Sequence, residues 1–488
     1  MTKRTSNTTR SFTALSRRAF LGRAGLGLGS LALADLLNPV AAQVPQAPAL
    51  DHGLLGTGHH RATAKRVIYL FMAGAPSQMD TFDHKPELAR WHGQETPDSI
   101  MGTQRLSTMV KGQSTFPIVQ PIAPLRQHGE NGTWVSDLLP HMAGVIDEFA
   151  MIKSMYTDQV NHDPAIKMLQ SGFQLAGRPS IGAWVNYGLG SDNQDLPAFI
   201  VMSSLGQGGA QNINSEIWSA GFLPSHHQGV LFRPGADPVL YVSNPEGLSR
   251  AQRRNAIDAI ARLSEIQYER TQDAEILSKI SQYEMAYRMQ SSVPEATDIA
   301  DEPDHVLELY GPDVQKPGSF ARNCLLARRL AERDVKFVQL YHNAWDHHAS
   351  LPVLHPTSMG EVDQPTAGLI KDLAQRGLLE DTLVVWGGEF GRTCFSQGAF
   401  TGTTWGRDHH PGCFTYLMAG GGAKAGVRYG ATDDFSYNVV ENPVSTFDFQ
   451  ATLMHMLGID HERLTYRYQG RDFRLTDVEG HVVRDVLA

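Results

Sequence analysis

The stretch RVIYLFMAG, residues 66–74, decides the fold class, because it is a continuous apolar run that ends in glycine. A strand with one solvated face alternates apolar and polar residues, whereas a strand covered on both faces is apolar throughout. Four further runs have the same character: LPAFIVMS at 196–203, VKFVQLY at 335–341, TLVVWGG at 382–388 and CFTYLMAGGG at 413–422. We therefore predict a mostly parallel sheet that is buried on both faces.

Segments with apolar residues at helical spacing lie between these strands. They are PSIGAWVNYGLG at 179–190, SFARNCLLARRLAERD at 319–334, PTAGLIKDLAQRGLLED at 365–381 and STFDFQATLMHMLGI at 445–459. Strands that alternate with helices predict an α/β fold, with a doubly wound sheet and helices on both faces. A longer charged segment at 247–292 predicts a helical insertion, either as two helices or as one long helix.

The N-terminal 42 residues have the features of an export signal. Basic residues and no acidic one occur up to residue 24, and a twin arginine, Arg17 and Arg18, precedes a short apolar run. This pattern predicts a twin-arginine signal peptide at 1–42 and a periplasmic or extracellular protein. A disordered basic tail is the alternative. Residues 43–64 are predicted to be a linker, and 65–488 the folded domain.

Composition excludes several classes of protein. The 488 residues carry a net charge of −9, so we expect no nucleic-acid partner. Beyond the leader no apolar stretch is long enough for a membrane span. The chain has three cysteines and no CxxC motif, so a thiolate zinc site is not expected. A disulfide between Cys394 and Cys413 is left open.

Carboxylates and imidazoles follow several of the predicted strands. In parallel α/β sheets, ligands bind beyond the carboxyl ends of the strands, where these side chains gather. Imidazole and carboxylate are ligands for divalent metal ions, so the sequence predicts one or two such ions: zinc, calcium, manganese or iron. The candidate ligands from this pattern are Asp80, Asp83, Asp346, His348, Glu389, Asp408 and His409.

Other interpretations of these residues stay open. Asp80 and Asp83 are also typical of turns and helix caps. Glu389 is three residues from Arg392, with which it would form an ion pair, and histidines are often surface or core residues without a ligand. The two Asp-His-His triplets, at 346–348 and 408–410, are expected to be loops that meet at one end of the sheet.

The motifs resemble a known family. FMAGAPSQMDTFDHKPEL at 71–88, NHDP at 161–164, WDHH at 345–348, EFGRT at 389–393 and GRDHHPG at 406–412 resemble the exported sulfatase-like family called domain of unknown function 1501. That family is similar to the alkaline phosphatase-like superfamily, which includes sulfatases and phosphodiesterases. The resemblance covers about residues 60–488, and it implies an alkaline phosphatase-like fold with one or two divalent metals.

The resemblance also implies roles for particular residues. Glu389 lies at the position of a metal-binding aspartate, but Phe390 replaces the adjacent histidine. His162 stands where sulfatases have the cysteine that becomes formylglycine, so a formylglycine mechanism is not expected. His162 is then a metal ligand, a general base or a nucleophile, or it only shapes a turn. Within the triplets the family pattern selects His348 and His409.

The sequence therefore predicts a metal-dependent hydrolase of phosphate or sulfate esters in the cell envelope, acting on a small molecule or a glycan. Asp346, His348 and His409 would bind one ion. Asp80 and Glu389, with His162, would bind a second ion or orient the nucleophile. Arg392 would stabilise negative charge on the substrate. The alternative is a non-catalytic envelope protein that binds a metal or a glycan.

Overall fold

The computed structural model describes residues 53–488, except 103, 105, 207–209, 236–237, 241–242 and 399. The predicted signal peptide and the first part of the predicted linker lie outside the described residues. The strands are β1 Arg66–Met72, β2 Leu125–His128, β3 Thr133–Ser136, β4 Phe149–Tyr156, β5 Phe199–Leu205, β6 Val230–Phe232, β7 Phe337–Asn343, β8 Thr382–Gly387, β9 Gly391–Gln397, β10 Gly406–His410, β11 Phe414–Ala419, β12 Arg428–Tyr429, β13 Ala431–Thr432, β14 Val439–Glu441, β15 Val444–Ser445, β16 Tyr466–Tyr468 and β17 Arg471–Phe473.

Helices of very different lengths surround these strands. The α-helices are α1 Gln78–Thr81, α2 Pro86–Arg90, α3 Asp98–Met101, α4 Pro140–Ala143, α5 His162–Ser171, α6 Ile181–Leu189, α7 Arg250–Thr271, α8 Ala274–Thr297, α9 Asp304–Tyr310, α10 Phe320–Ala331, α11 Leu351–Gln375 and α12 Thr446–Met456. Within the described residues, no helix is both long enough and apolar enough to cross a membrane.

The main sheet has nine strands in the order β12-β4-β11-β8-β1-β7-β5-β6, with β15 also paired to β4. Strands β8, β1, β7, β5 and β6 are parallel to one another, whereas β11 runs antiparallel to both of its neighbours. The predicted α/β class with a mostly parallel sheet is therefore confirmed. The reversed direction of β11 is a difference that its apolar sequence did not reveal.

Strand β1 shows why the buried strands are apolar throughout. Its side chains alternate between the two faces of the sheet, and all seven residues are buried. Ile68 and Leu70 pack into one hydrophobic core, and Val67 and Tyr69 pack into the other. Because helices cover both faces, the positions after Arg66 require apolar side chains, whereas Arg66 at the start of the strand pairs with Asp334 and Asp381.

The charged segment predicted as an insertion contains two helices, α7 and α8. A capping box begins α7. The Ser249 hydroxyl accepts from the Gln252 backbone N–H, and the Gln252 side chain accepts from the Ser249 backbone N–H. Only Ile257 is buried among the 22 residues of this helix. Other apolar residues of the helix, such as Leu263 and Ile266, are 49% exposed.

The second Asp-His-His triplet differs from the expectation that it forms a loop. It lies in β10, which pairs antiparallel with β9 so that His409 is opposite Arg392. The first triplet is the predicted loop after β7. The three cysteines are buried as free thiols, so no disulfide joins Cys394 and Cys413.

Candidate metal centre

Four side chains from distant parts of the chain meet beyond the carboxyl ends of the sheet strands. His162 is the first residue of α5 and follows β4, Asp346 and His348 follow β7, and His409 lies in β10 just before β11. One ligand atom from each of the four lies within 4.8 Å of the others. We call these four residues the histidine cluster. Because β11 is antiparallel to its neighbours, its N-terminal end lies at the edge where β4 and β8 end, and this places His409 near the residues that follow β4 and β7.

The three imidazoles converge on one carboxylate oxygen. Asp346 Oδ1 lies 2.9 Å from His348 Nε2, 3.1 Å from His162 Nε2 and 3.4 Å from His409 Nε2. The Nε2 atoms of His348 and His409 are themselves 2.9 Å apart. His162 Nε2 is buried and lacks the alignment of a hydrogen bond, although it is close to the carboxylate. The Nε2 atoms therefore share one point of convergence.

The opposite ring nitrogens show which tautomer each histidine adopts. His409 Nδ1 lies 2.8 Å from the carbonyl oxygen of Val160, and His162 Nδ1 lies 2.5 Å from Glu389 Oε1. These oxygens only accept hydrogen bonds, so both Nδ1 atoms carry the proton. His348 Nδ1 contacts Gln397 Oε1 in the same way. Each Nε2 then presents a lone pair toward Asp346, as metal-binding histidines do.

Burial and neighbouring charges perturb the ionisation of this cluster. Burial lowers the pKa of His409 to about 3, despite its contact with Asp346, so its imidazole is neutral at pH 7. Burial raises the pKa of Asp346, but contacts with the three imidazoles and Arg392 outweigh burial and hold that pKa well below its usual range. Burial lowers the pKa of His162, but Asp346 and Glu389 reverse this effect and raise it.

Asp346 is held in place from two sides. Arg392 Nη2 donates to Asp346 Oδ1 over 2.7 Å, and Gln211 Nε2 donates to Asp346 Oδ2 over 3.1 Å. Gln211 is itself fixed by Asn343, which accepts from the Gln211 backbone N–H at 2.7 Å and donates to its carbonyl oxygen at 2.8 Å. The carboxylate is thus oriented before any ligand arrives.

Glu389 lies next to the cluster and is not one of the four converging residues. Its Oε1 accepts from the Gly74 backbone over 2.9 Å and from His162 Nδ1. Its Oε2 is buried without a hydrogen-bond partner, and the side chain is fully buried. The structure therefore places Glu389 behind His162, where it orients the ring.

Arg392 is buried, and its guanidinium donates hydrogen bonds to several groups of the protein. Besides Asp346, it donates to the carbonyl oxygens of Gly74, Ala75 and Arg407. Only 1% of its side chain is exposed. In this arrangement Arg392 holds Asp346 and the surrounding backbone, and its contact with a substrate stays a prediction.

Asp80 is not brought to the histidine cluster. Its Oδ2 accepts from Arg407 Nε over 2.8 Å, and its Oδ1 accepts from the Ile122 backbone over 2.8 Å. Both charged side chains are completely buried. Asp80 therefore already has its counter-charge, and the predicted second metal site through Asp80 and Glu389 is not assembled in the described residues.

The other members of the two triplets have separate partners. His347 Nδ1 lies 3.0 Å from His355 Nδ1, and His410 Nε2 lies 2.5 Å from the carbonyl oxygen of Tyr437. Asp408 accepts from the Ser107 hydroxyl at both oxygens. The structure brings His348 and His409 together, as the family pattern selects, and leaves His347 and His410 outside the cluster.

Several supporting residues were missed at the level of sequence. Gln211 lies in a Gly-rich segment without a motif, and no sequence signal marks it. Gln397 and the Val160 carbonyl act only through the fold, because each contacts a histidine from another segment. Phe390 stands where the related pattern has a histidine. Its ring centroid lies 4.8 Å from that of His162 and 4.7 Å from that of His409.

Comparison with solved structures gives distant likenesses. The PsFucS1 sulfatase from Pseudoalteromonas sp. is 13% identical, with 72% of this chain and 66% of that chain covered and a TM-score of 0.33. A phosphonate monoester hydrolase from Silicibacter pomeroyi is 12% identical, with 72% and 71% covered and a TM-score of 0.30. An alkaline phosphatase superfamily protein from Vibrio parahaemolyticus is 12% identical, with 88% and 76% covered and a TM-score of 0.31. Likeness at this level carries no conclusion about activity.

Sequence comparison is more decisive. No curated protein matches this chain in sequence. The family model described as "Protein of unknown function (DUF1501)" matches residues 64–487, which is nearly the whole chain after the predicted leader and linker. The chain therefore belongs to the DUF1501 family.

Proposed function

We propose that His162, Asp346, His348 and His409 bind one divalent metal ion. The observation that carries this proposal is the convergence of three Nε2 lone pairs on Asp346 Oδ1, with each Nδ1 bound to an oxygen on the other side. Lone pairs that face one another in a buried site are costly unless a cation or proton lies between them. A cation satisfies all four groups at once.

The donor set narrows the choice among the expected ions. Three imidazole nitrogens and one carboxylate oxygen suit zinc, manganese or iron. Calcium is disfavoured because it prefers six to eight oxygen ligands. The four proposed ligands come from α5, from the loop after β7 and from β10, and together they suffice for a single ion. His409 makes the longest contact to Asp346, at 3.4 Å.

We further propose that this centre hydrolyses phosphate or sulfate esters of a small molecule or glycan. A bound divalent ion supplies polarisation of an ester oxygen and lowers the pKa of a bound water. Glu389 keeps the proton on His162 Nδ1, and Arg392 and Gln211 fix the Asp346 carboxylate. The ester class rests on the motif resemblance, because the cluster alone is compatible with several reactions.

A non-catalytic metal-binding or glycan-binding protein is the second candidate. The observation that favours it is Phe390, which packs an apolar ring against two of the imidazoles where the related pattern has a ligand. A metal-binding protein of this kind would share the metal with the first candidate and would differ from it in turnover.

The deciding experiment measures metal first and turnover second. The purified protein is loaded with zinc, manganese or iron, its metal content is determined, and phosphate, phosphonate and sulfate esters are then assayed. We expect one ion in the histidine cluster and turnover of one ester class, both lost in Asp346→Asn. Bound metal without turnover on any ester supports the second candidate. A protein that takes up no ion after reconstitution contradicts both.

We also propose export by the twin-arginine route, from Arg17 and Arg18 in the leader. A chain that must acquire a metal before export benefits from a route that accepts folded proteins. Cell fractionation of the full chain should find the mature protein outside the cytoplasmic membrane. Replacement of both arginines by lysine should leave the precursor inside the cell, and unchanged export of that variant would contradict the proposal.

A further inference from the structure

A second group of polar side chains lies at the same edge of the sheet, between β5, β7 and helix α11. His342 is the penultimate residue of β7, and its Nδ1 lies 2.9 Å from the Ser204 hydroxyl at the end of β5. The two residues are partners in the parallel register of these strands. On the other side of the ring, His342 Nε2 lies 3.3 Å from Glu361 Oε2.

The facing atoms of His342 and Glu361 are both unsatisfied. Each is buried, and their contact lacks the alignment that a hydrogen bond requires. The His342 side chain is only 2% exposed, and the Phe320 ring packs on it with centroids 5.0 Å apart. Buried polar atoms without partners are rare in native proteins, and an ion or a water often accounts for them. The Ser204 hydroxyl can either donate to His342 Nδ1 or accept from it, and in the tautomer in which it accepts, the Nε2 lone pair faces the carboxylate.

The backbone of Gly206 packs closely against these atoms, so no side chain fits at this position without displacing one of them. A Cβ on Gly206 would lie 2.6 Å from Glu361 Oε2, 3.0 Å from the Asn343 carbonyl oxygen and 3.2 Å from His342 Nε2. Three atoms with lone pairs therefore lie close to one point beside Gly206, whose backbone N–H donates to one of them, the Asn343 carbonyl oxygen, over 3.2 Å. The Glu361 side chain as a whole is 26% exposed, although its Oε2 atom is buried.

We propose that His342 Nε2, Glu361 Oε2 and the Asn343 carbonyl oxygen form a second cation site, which takes a divalent transition-metal ion of the zinc or manganese class. One imidazole and one carboxylate favour such an ion over calcium, and waters complete its coordination. This site shares no ligand with the histidine cluster, so it does not depend on the function proposed above.

The position of the second site gives it a structural role. The side chain of Asn343 clamps the backbone of Gln211, and the Gln211 side chain holds Asp346. A cation on the Asn343 carbonyl oxygen would therefore fix the residue from which this clamp extends. We expect the second ion to rigidify the support of the Asp346 carboxylate without touching it.

The test counts bound ions in the full chain with zinc and, separately, manganese as the probe. Glu361→Gln removes the anionic ligand and keeps its shape. Gly206→Ala fills the space with a methyl group that displaces the Glu361 carboxylate, and the backbone of Gly206 is not in the left-handed region. Gly360→Ala is the matched control, because a Cβ there meets nothing within 4 Å on the same stretch of α11.

We expect two ions in the wild type and in Gly360→Ala, and one fewer in Glu361→Gln and Gly206→Ala. Asp346→Asn should lose the other ion and keep this one. Equal metal content in the wild type, Glu361→Gln and Gly206→Ala would overturn the second site. If the only ion is lost in Asp346→Asn, the histidine cluster stands and this proposal falls. If the only ion is lost in Glu361→Gln, the second site stands and the metal site in the histidine cluster falls. Circular dichroism checks that each variant is folded.

Discussion

Two buried clusters of ionisable side chains differ in how their charges are satisfied. In the arginine network, formed by Arg328, Arg329, Arg376, Glu302, Glu332 and Asp372, every carboxylate contacts at least one guanidinium. Arg328 alone reaches Asp372 at 2.8 Å, Glu332 at 2.7 Å and Glu302 at 2.6 Å. The histidine cluster instead aims three imidazole nitrogens at one carboxylate, which a single guanidinium, that of Arg392, also contacts.

This difference separates a structural role from a binding role. The arginine network joins the helices α10 and α11 and is electrically neutral with its own residues, so it needs no ligand. In the histidine cluster the acceptors outnumber the donors on the inner side when the rings are neutral, and a bound cation or a proton on His162 would balance them. A deficit of donors, and not burial or charge alone, marks the site.

The largest expected effect breaks the arginine network. Arg328→Met leaves the network with one more carboxylate than guanidinium, although Glu302, Glu332 and Asp372 each keep a contact with Arg329 or Arg376. An uncompensated charge in such a network costs about 3–5 kcal/mol of unfolding free energy. Urea unfolding measures this loss, and metal content should stay at the wild-type level. Arg126→Met is the control, because Arg126 pairs with Asp137 on the surface and its side chain is 66% exposed. An exposed pair contributes about 1 kcal/mol or less. Loss of metal in Arg328→Met would remove the distinction between the clusters.

The next effect separates two adjacent histidines. His348→Gln removes a converging nitrogen and should weaken metal binding by at least about 100-fold, since even residues that only orient ligands have effects of 10–100-fold. His347→Gln changes the neighbouring residue, which contacts His355 outside the cluster. Competition with a chelator measures both affinities. Equal losses in the two variants would refute the assignment of His348 as the ligand.

Glu389→Gln tests the residue that orients His162. The amide can present its NH₂ group to His162 Nδ1 and favour the wrong tautomer, so we expect metal affinity to fall by about 10–100-fold. The variant should still bind the ion, because the four converging residues remain. Complete loss of binding, equal to that of Asp346→Asn, would indicate that Glu389 is itself a ligand.

The smallest effect is the dependence of metal affinity on pH. The pKa of His162 is raised above 6.5 by Asp346 and Glu389 against the effect of burial. Below that raised pKa the metal-free ring carries a proton that binding must expel, so affinity should rise by up to about tenfold per pH unit. Above it the affinity should level off. Metal titrations at several pH values measure the slope.

The free energy of unfolding of the metal-free protein should fall as pH rises, whereas the metal affinity rises. A raised pKa means that the stabilisation from protonated His162 is fully present below about pH 6.5 and is lost as pH rises through the folded-state pKa. In Glu389→Gln one of the two carboxylates is gone, so both transitions should shift to lower pH. An unchanged pH profile in that variant would contradict the role given to Glu389.

The sequence alone determined the sheet and its surroundings. Continuous apolar runs such as 66–74 require burial on both faces, and the alternation with helices follows from the residue pattern within each segment. The family pattern also selected His348 over His347 and His409 over His410. These properties depend on residues close together in the chain, which is why sequence reveals them.

Only the tertiary structure decided which partner each buried charge finds. The local sequence makes Asp80 a candidate ligand, but in the fold it pairs with Arg407, which is 327 residues away. Glu389 was another candidate, and its contact with His162 is 227 residues distant. A carboxylate after a strand can face an arginine, an imidazole or a metal ion, and its local sequence is the same in each case. The register and direction of the strands, including the reversal of β11, decide among them because they fix which distant segments meet at the edge of the sheet.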